Sequence, residues 1–451
     1  METKKISQYD KMINTPVSRL ILTLCVPTII SMLVTNIYNL VDTAFVGRLG
    51  TSASGAVGVV FGFMAIIQAF GFMCGQGSGS VISRMLGKRD KENASLYAST
   101  GFFLSFLCGL LIFVTGFIWL DNIVRILGST PTIAPYAKTY IKYILIAAPF
   151  MSSSLTMNNI LRYEGKAALG MIGLMTGAVV NMVLDPILMF GLNMGIAGAG
   201  LSTALSQLIS WLILITMFGR GMTETKISPY ILSKSNFKTA WIIMTTGLPS
   251  MLRQGLNSLA TVVLNYQCAA YGDAAVAAMS IVSRIVFFAF SFALGIGQGF
   301  QPVAGFNYGA GKYLRLKKAY RFTILLSSAV IVFGSIFLIT FSDMLIGLFR
   351  DDPEVIKIGT RALRLQSVAQ IVMPVCMSTE MLFQCVGKRL SASIQSCLRS
   401  GAIFIPLLII MAHTRGIAGI QEAQPLAFVL SLPVPIVYAV GFFKKLPKED
   451  K

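Results

Sequence analysis

Two aspartates lie inside long apolar stretches of the sequence: Asp42 within NIYNLVDTAFVG and Asp185 within NMVLDPILMFG. A charge inside an apolar span costs a few kcal/mol, so an ionisable group is retained there mainly where it has a function. Two carboxyl groups in a low-dielectric setting cannot both ionise cheaply, so one of them is expected to titrate near neutrality. The pair is therefore a candidate functional site.

Helical spacing places polar partners beside both acids. Thr35, Tyr38 and Asp42 are three and four residues apart, so they share one face of a helix. On the other stretch small and polar residues recur every four positions, at Gly173, Gly177, Asn181 and Asp185. Small residues let a neighbouring helix approach, so the two polar faces can converge on one buried site. Alternatively, Asp42 lies near enough to the end of its span to reach interfacial water.

Two prolines are predicted to act as hinges beside these carboxylates. Pro186 directly follows Asp185, and Pro27 lies in the same span as Asp42. A proline inside a helix removes one backbone hydrogen bond and frees a carbonyl, which bends the helix. We therefore expect both spans to bend near the acidic site.

A further acid within a largely apolar stretch, Glu380, lies in MSTEMLFQCVGK in the second half of the chain. It could form a second polar site with a function of its own. Equally, it could form a structural ion pair with an arginine near or inside a span. The arginines available for such a pair are Arg253, Arg284 and Arg399.

The composition places these residues in a membrane protein. Hydrophobic side chains make up 55% of the 451 residues and charged ones only 12%, which a water-soluble surface does not tolerate at this length. Twelve apolar stretches predict an all-α membrane protein with twelve transmembrane helices. The seven cysteines mostly lie in apolar runs without paired spacing, so neither a disulfide framework nor a metal site is expected.

The net charge of +19 does not indicate nucleic acid, because the basic residues collect in alternate connections between spans. The series begins and ends with Lys4, Lys5, Lys11, Lys444, Lys445, Lys448 and Lys451. By the positive-inside rule both termini are predicted to face the cytoplasm. We expect a monomeric, multi-pass protein of the cell membrane whose partners are the bilayer and small organic molecules.

The sequence repeats itself at an offset of 222 residues, which aligns Pro27 with Pro249 and GQG at 75–77 with GQG at 297–299. Glycine and proline have backbone roles that other residues fill poorly, so their repetition predicts two bundles with the same bends. The predicted domains are an N-terminal lobe of six helices, a cytoplasmic linker and a C-terminal lobe of six helices, at 1–220, 221–236 and 237–451. Two such lobes form a parallel, pseudo-two-fold repeat.

Each lobe contains a glycine-rich run that ends in Gly-Lys, GQGSGSVISRMLGK at 75–88 and GQGFQPVAGFNYGAGK at 297–312. A phosphate-binding loop requires the spacing G-x-x-x-x-G-K-[ST], which the run at 297–312 lacks. Because the runs occupy equivalent positions of the repeat, they are predicted to form a structural turn after the second span of each lobe. No nucleotide or other cofactor is expected.

The chain resembles the multidrug and toxic compound extrusion (MATE) transporters, especially the bacterial DinF-like branch that includes MepA-like pumps. The resemblance covers the whole chain and is carried by VDTAFVGRLG at 41–50, GQGSGSVISRMLGKRD at 75–90, NNILRYEGK at 158–166, NMVLDPILMFG at 181–191, GQGFQPVAGFNYGAGK at 297–312 and RSGAIFIP at 399–406. It implies two six-helix lobes around a V-shaped cleft, and export of organic, often cationic compounds against an inward proton or sodium gradient.

The resemblance also implies a cation site in the first lobe. By matching motif, its participants are Tyr38, Asp42, Tyr140, Asn158, Asn181, Asp185 and Thr203, with Pro27 as the bend in the first span. Tyr143 and Asn159 lie close enough to take the places of Tyr140 and Asn158. Another branch uses a glutamate eight residues after the proline of span seven, where this chain has Asn257. That departure agrees with the offset of 222, which puts Leu264 opposite Asp42 and Leu407 opposite Asp185.

We therefore expect a cation-coupled antiporter that exports organic, cationic and amphipathic compounds by alternating access. The alternative is a flippase of lipid-linked precursors or polysaccharides from the same superfamily; such proteins usually have a basic cavity, whereas the intramembrane polar faces here are acidic. An integral membrane enzyme is less expected. The chain has one histidine, His413, and no H-E-x-x-H or G-x-S-x-G motif, so no catalytic residue is predicted.

Overall fold

The computed structural model describes residues 7–447 and 449–450. Lys4, Lys5, Lys448 and Lys451, which contribute to the predicted charge pattern, lie outside the described residues. The helices of the first half are α1 Gln8–Asn14, α2 Val17–Gly47, α3 Thr51–Gly87, α4 Lys91–Ile118, α5 Leu120–Ile126, α6 Ala134–Tyr163, α7 Ala167–Pro186 and α8 Ile196–Gly219. The short α9 Pro229–Leu232 follows, and the second half has α10 Phe237–Ala269, α11 Asp273–Gly309, α12 Tyr313–Thr340, α13 Ser342–Phe349, α14 Pro353–Ala369, α15 Met373–Cys385, α16 Arg389–Cys397, α17 Phe404–Ser431 and α18 Pro433–Lys445.

Ten helical stretches of the described chain are long and apolar enough to cross a membrane. One of them, Phe404–Lys445, has 42 residues, which is about 63 Å of helix and twice the thickness of a hydrocarbon core. Gly416 interrupts it with a φ of 62°, a conformation that glycine adopts freely and that ends a helix. The 33-residue α10 is also long enough to cross, although it lies outside the ten. If Phe404–Lys445 is counted as two crossings and α10 as one more, the ten stretches become the predicted twelve crossings. The all-α membrane fold is confirmed.

Two compact units divide the chain, and their boundaries fall inside helices. The first unit combines the segment ending at Asn14 with Ile30–Met251, and the second combines Thr15–Ile29 with the chain from Leu252. The start of α2 therefore belongs to the second unit, and the start of α10 belongs to the first. The lobe boundaries predicted from the sequence repeat follow chain order, and they stay a prediction.

Each unit is organised around one strongly buried helical stretch. In the first unit this is α6, and in the second it is the Pro353–Cys385 stretch of α14 and α15; 78% of the apolar window is buried in both. The apolar core around α6 includes Val60, Ile67 and Ile144, whereas that of the second unit includes residues of α11, α14 and α17. Both stretches are the fourth span of their half, so the repeat in sequence is also a repeat in packing.

The glycine-rich runs do not form the predicted turns, and that prediction is wrong. Residues 75–87 and 297–309 are the continuous helical ends of α3 and α11. The chain turns only after them, at Arg89 with a φ of 63° and at Gly311 with a φ of 74°. A high glycine content does not by itself indicate a turn, because a helix also contains glycine where the backbone of a neighbouring helix packs closely against it.

Helix packing explains the second glycine of each GQG motif. A Cβ added at Gly77 of α3 would lie 2.2 Å from the carbonyl oxygen of Ile243, in the part of α10 that belongs to the first unit. A Cβ added at Gly299 of α11 would lie 2.7 Å from the backbone of Cys25, in the part of α2 that belongs to the second unit. Repeat-related glycines thus hold repeat-related helices in close contact within each unit.

Candidate functional site

The two aspartates meet inside the first unit. The carboxyl groups of Asp42 on α2 and Asp185 near the end of α7 lie within hydrogen-bonding reach of each other. Both residues are buried, with exposed fractions of 9% and 0%. A hydrogen bond between two carboxyl groups requires that one of them carries a hydrogen atom. The geometry thus suits one proton, or one small cation, held by the pair.

The Asn181 side-chain amide lies between Asp185 and Ser202. Asn181 lies one turn earlier on α7, and its Nδ2 is 3.0 Å from Oγ of Ser202 and 3.5 Å from Oδ1 of Asp185. The Ser202 hydroxyl in turn donates to the backbone carbonyl oxygen of Asn181 at 3.2 Å. Sequence reasoning missed Ser202, although its signal was present. It follows the run of small residues that begins α8, which lets α8 pack closely against α7.

Three more hydroxyl groups complete the acidic cluster, by which we mean Tyr38, Asp42, Tyr140, Asn181, Asp185, Ser202 and Thr203. The hydroxyl of Tyr140 on α6 lies near that of Thr203 on α8. Tyr38 precedes Asp42 by one turn of α2 and lies near both aspartates. Four helices of one unit, α2, α6, α7 and α8, therefore converge on this point.

The acidic cluster lies against an apolar core. Val46, Met189 and Ala199 are buried members of one hydrophobic group, and each is four residues from Asp42, Asp185 or Thr203. Apolar neighbours lower the local dielectric, which strengthens every interaction with a charge and raises the cost of leaving a charge unpaired. The free energy of a charged carboxylate in this cluster therefore depends strongly on whether a proton or a cation is bound to it.

Three oxygen atoms of the cluster have no hydrogen-bond partner among the described residues: Oδ1 of Asp42, Oδ1 of Asn181 and Oδ2 of Asp185. An unpartnered buried acceptor costs about 1–3 kcal/mol, so a group that engages these oxygens is bound favourably. Carbonyl and carboxylate oxygens are ligands for hard cations and for protons. The described residues contain no group of three or more His, Cys, Asp or Glu that could hold a metal ion.

The structure does not bring Asn158 to the acidic cluster. Its amide donates to the carbonyl oxygen of Gly170 at 2.8 Å. Asn158 follows Tyr140 by 18 positions on α6, which is about 27 Å along a helix. Asn159 is no substitute, because it lies equally far along and accepts a hydrogen bond from Arg162.

The two predicted hinges lie in different settings. Pro27 is inside the continuous α2, two residues before that helix passes from the second compact unit to the first. Pro186 is the last residue of α7 and is followed by a π-helical turn, Ile187–Gly191. A π turn widens the helix by one residue, so the backbone changes its geometry directly after Asp185.

Among the residues that the structure describes, the second unit has no counterpart of the acidic cluster at the equivalent positions. Leu264 is a buried member of its apolar core, and Leu407 packs against the same core. The acid of this unit, Glu380, is instead paired with Arg253, at 2.6 Å, and with Arg399, at 3.7 Å. The repeat thus preserves the packing and changes the chemistry.

A duplicated bundle of membrane-crossing helices with a buried acidic cluster in one unit is an architecture typical of membrane transporters. The MatE family model matches the chain twice, at residues 27–187 and 249–410. The chain therefore belongs to the MatE family. The two matches begin 222 residues apart, which confirms the internal repeat.

Known proteins are similar to the chain along nearly its whole length. "Multidrug export protein MepA" of Staphylococcus aureus (strain MSSA476) is 27% identical over 421 residues, which cover 93% of this chain and 92% of MepA. A solved MOP superfamily transporter from Pyrococcus furiosus is 26% identical, with a TM-score of 0.92 and coverage of 99% and 100%. A MATE crystal structure in the bent conformation is 27% identical, with a TM-score of 0.91 and coverage of 98% and 99%.

Proposed function

We propose that the protein exports organic, cationic and amphipathic compounds in exchange for protons or sodium ions, by alternating access. The observation that carries this proposal is the acidic cluster, where two adjoining aspartates and Asn181 offer three buried oxygens without partners. Multidrug export is supported by the similarity to MepA along 93% of the chain. Cation coupling is supported by the chemistry of the cluster.

Cation binding changes the charge of the cluster, and the cluster lies on helices that carry prolines. When a proton or sodium ion occupies the aspartate pair, repulsion between the carboxylates is removed and the hydrogen bonds of Asn181 and Ser202 redistribute. We propose Pro27 and Pro186 as the hinges that convert this change into helix bending. A related MATE protein has been solved in a bent conformation.

The proposal includes an orientation. Both termini and the linker at 221–236 face the cytoplasm, because these segments are rich in basic residues. In this orientation the protein is a monomeric, multi-pass component of the cell membrane, and it uses no cofactor beyond the coupling ion.

Efflux measurements on aspartate variants test the coupling site. A proton or sodium gradient is imposed across everted vesicles, and the uptake of ethidium, a lipophilic organic cation, is followed by fluorescence. Asp185→Asn and Asp42→Asn are nearly isosteric but cannot ionise, so each is expected to reduce gradient-driven uptake at least tenfold. The gradient that drives wild-type uptake identifies the coupling ion.

The matched control is Asp121→Asn, because Asp121 lies in the same unit but is exposed and pairs with Lys138. It should retain wild-type uptake. Wild-type uptake by Asp185→Asn would refute the assignment of the coupling site. If Glu380→Gln alone uncoupled transport, the coupling site would belong to the second unit.

A further inference from the structure

A cavity of about 130 Å³ lies in the second unit, where α12 begins and α18 ends. Apolar and aromatic side chains and one cation line it: Tyr313, Leu314, Lys317, Phe443, Leu446 and Pro447. Because α12 is one of the membrane-crossing stretches, its first turn lies at the end of a span, in the interfacial layer of the bilayer. An apolar wall beside a cation in that layer suits an amphiphilic molecule.

The equivalent surface of the first unit is covered by the linker. The offset of 222 residues pairs α12 with α4 along the whole length of both helices. On α4, the Ser95 hydroxyl accepts a hydrogen bond from the backbone N–H of Lys226 at 3.1 Å. The Ser99 hydroxyl accepts one from the backbone N–H of Ser228, also at 3.1 Å. Both serines are buried, so this face of α4 binds a segment of the chain itself.

The same two positions of the second unit carry cations. Lys317 lies at the offset of 222 from Ser95, and Arg321 lies at the same offset from Ser99. Both cations are exposed, and they share one face of α12 because they are four residues apart. Neither has an ion-pair partner among the residues that the structure describes. The repeat has therefore replaced a covered, neutral face with an exposed, positively charged one.

One anionic group already lies at the edge of this surface. Oδ1 of Asp450 accepts a hydrogen bond from the backbone N–H of Leu314 at 2.7 Å. The start of α4 is capped by its own N-cap residue, Asp90, whereas the N-cap of α12 is Lys312, which makes no side-chain cap bond. The first turn of a helix favours negative charge. The contact of Asp450 shows that this end of α12 accepts an anionic oxygen, and it leaves the two exposed cations of the same helix without a counter-charge.

We propose that this surface binds the headgroup of an anionic phospholipid, with the phosphate at Lys317 and Arg321 and the adjoining glycerol and acyl carbons in the cavity. Basic residues at the ends of spans attract anionic headgroups, and salt screens the attraction beyond about 10 Å. A soluble phosphate would contact the cations but would bury no apolar surface against Phe443 and Leu446. The ligand is a lipid of the surrounding leaflet that stays bound at the surface, so the inference does not depend on the proposed transport.

Native mass spectrometry of the protein in a non-ionic detergent tests the inference. The protein is titrated with dioleoyl phosphatidylglycerol or with dioleoyl phosphatidylcholine, which has the same chains and no net charge. Wild type is expected to bind phosphatidylglycerol about tenfold more tightly. The double variant Lys317→Ser, Arg321→Ser gives α12 the residues of the equivalent positions on α4, and it should lose this preference. Lys317→Arg keeps the charge and should keep the preference.

The control is the double variant Arg350→Ser, Lys357→Ser, which removes two exposed cations beyond the other end of α12. It should keep the wild-type preference; an equal loss in the control would show general charge attraction and overturn the inference. A preference that survives in Lys317→Ser, Arg321→Ser would overturn it as well. So would displacement of phosphatidylglycerol by millimolar inorganic phosphate, because the site would then recognise phosphate without a lipid. No gradient or exported compound enters this measurement, so its failure is distinct from a failure of the proposed function.

Discussion

Glu164 is a buried carboxylate that sequence reasoning did not single out. It follows α6 directly, and its carboxylate accepts hydrogen bonds from the backbone N–H groups of Glu224 at 2.8 Å and Thr225 at 3.0 Å, and from the Thr225 hydroxyl. Glu224 is itself paired with Lys91 and Lys166, at 2.8 and 2.9 Å. Glu164 therefore anchors the linker to the ends of the helices of the first unit.

Burial raises the pKa of Glu164 from 4.5 to about 7, and the hydrogen bonds from Thr225 and Glu224 and the charge of Lys166 oppose this only in part. The folded-state pKa lies above the unfolded one. The stability that Glu164 contributes is therefore complete below about pH 4.5 and is lost as the pH rises through about 7. A shift of this size corresponds to about 3 kcal/mol at most.

We predict that Glu164→Gln flattens the pH dependence of stability. The neutral amide cannot ionise, so the melting temperature of purified protein should fall less between pH 5 and pH 8 in the variant than in wild type. Intrinsic fluorescence during heating measures the melting temperatures of the variant and of wild type at each pH. Glu92→Gln is the control, because Glu92 is exposed and lies 3.8 Å from Lys234. Parallel pH profiles for wild type and Glu164→Gln would contradict the prediction.

At the scale of helices, close backbone contacts explain residues that look like loop formers in the sequence. The second glycine of each GQG motif lies where a helix passes against the backbone of another helix of the same unit. A side chain there meets a main-chain atom, which cannot rotate away as a flexible side chain can. The loss of stability on substituting such a glycine therefore depends on the contact with the partner helix and not on the helix propensity of the new residue.

We predict that Gly77→Ala destabilises the protein by about 1–3 kcal/mol, because its Cβ must push the Ile243 carbonyl away. Gly334 of α12 is the matched control: it is helical, and a Cβ added there would meet no atom within 4 Å beyond the backbone of its own helix. Gly334→Ala should be neutral or gain about 0.5–1 kcal/mol from helix propensity. Thermal unfolding of both variants decides; equal melting temperatures would show that close packing at Gly77 does not limit stability.

At the scale of the whole molecule, the charge pattern predicts the sidedness of the protein. In a variant without native cysteines, single cysteines at Tyr230 and Ala310 should resist an impermeant maleimide added outside intact cells and react in everted vesicles. A cysteine at Thr130, in the connection before α6, should behave in the opposite way. Efficient external labelling at 230 and 310 would reverse the topology and remove the basis for the proposed antiport direction.

Several properties that depend only on local pattern could be predicted from the sequence. Long apolar stretches identify a helical membrane protein, because a span must be apolar along its length. The offset of 222 identified the repeat, which the two family matches confirm. Spacing of four residues placed Asn181 beside Asp185 and Tyr38 beside Asp42, because the period of a helix is fixed.

Which distant segments contact each other became known only from the packing of the helices. Ser202 contacts Asn181, and the linker binds Glu164, which lies about sixty residues earlier in the chain. Asn158 lies far from the aspartates. The ion-pair partners of Glu380 are Arg253 and Arg399. The structure also showed that the GQG runs are helical. Contacts between residues distant in sequence depend on the packing of whole helices, and a period read along one helix does not contain the position of its neighbours.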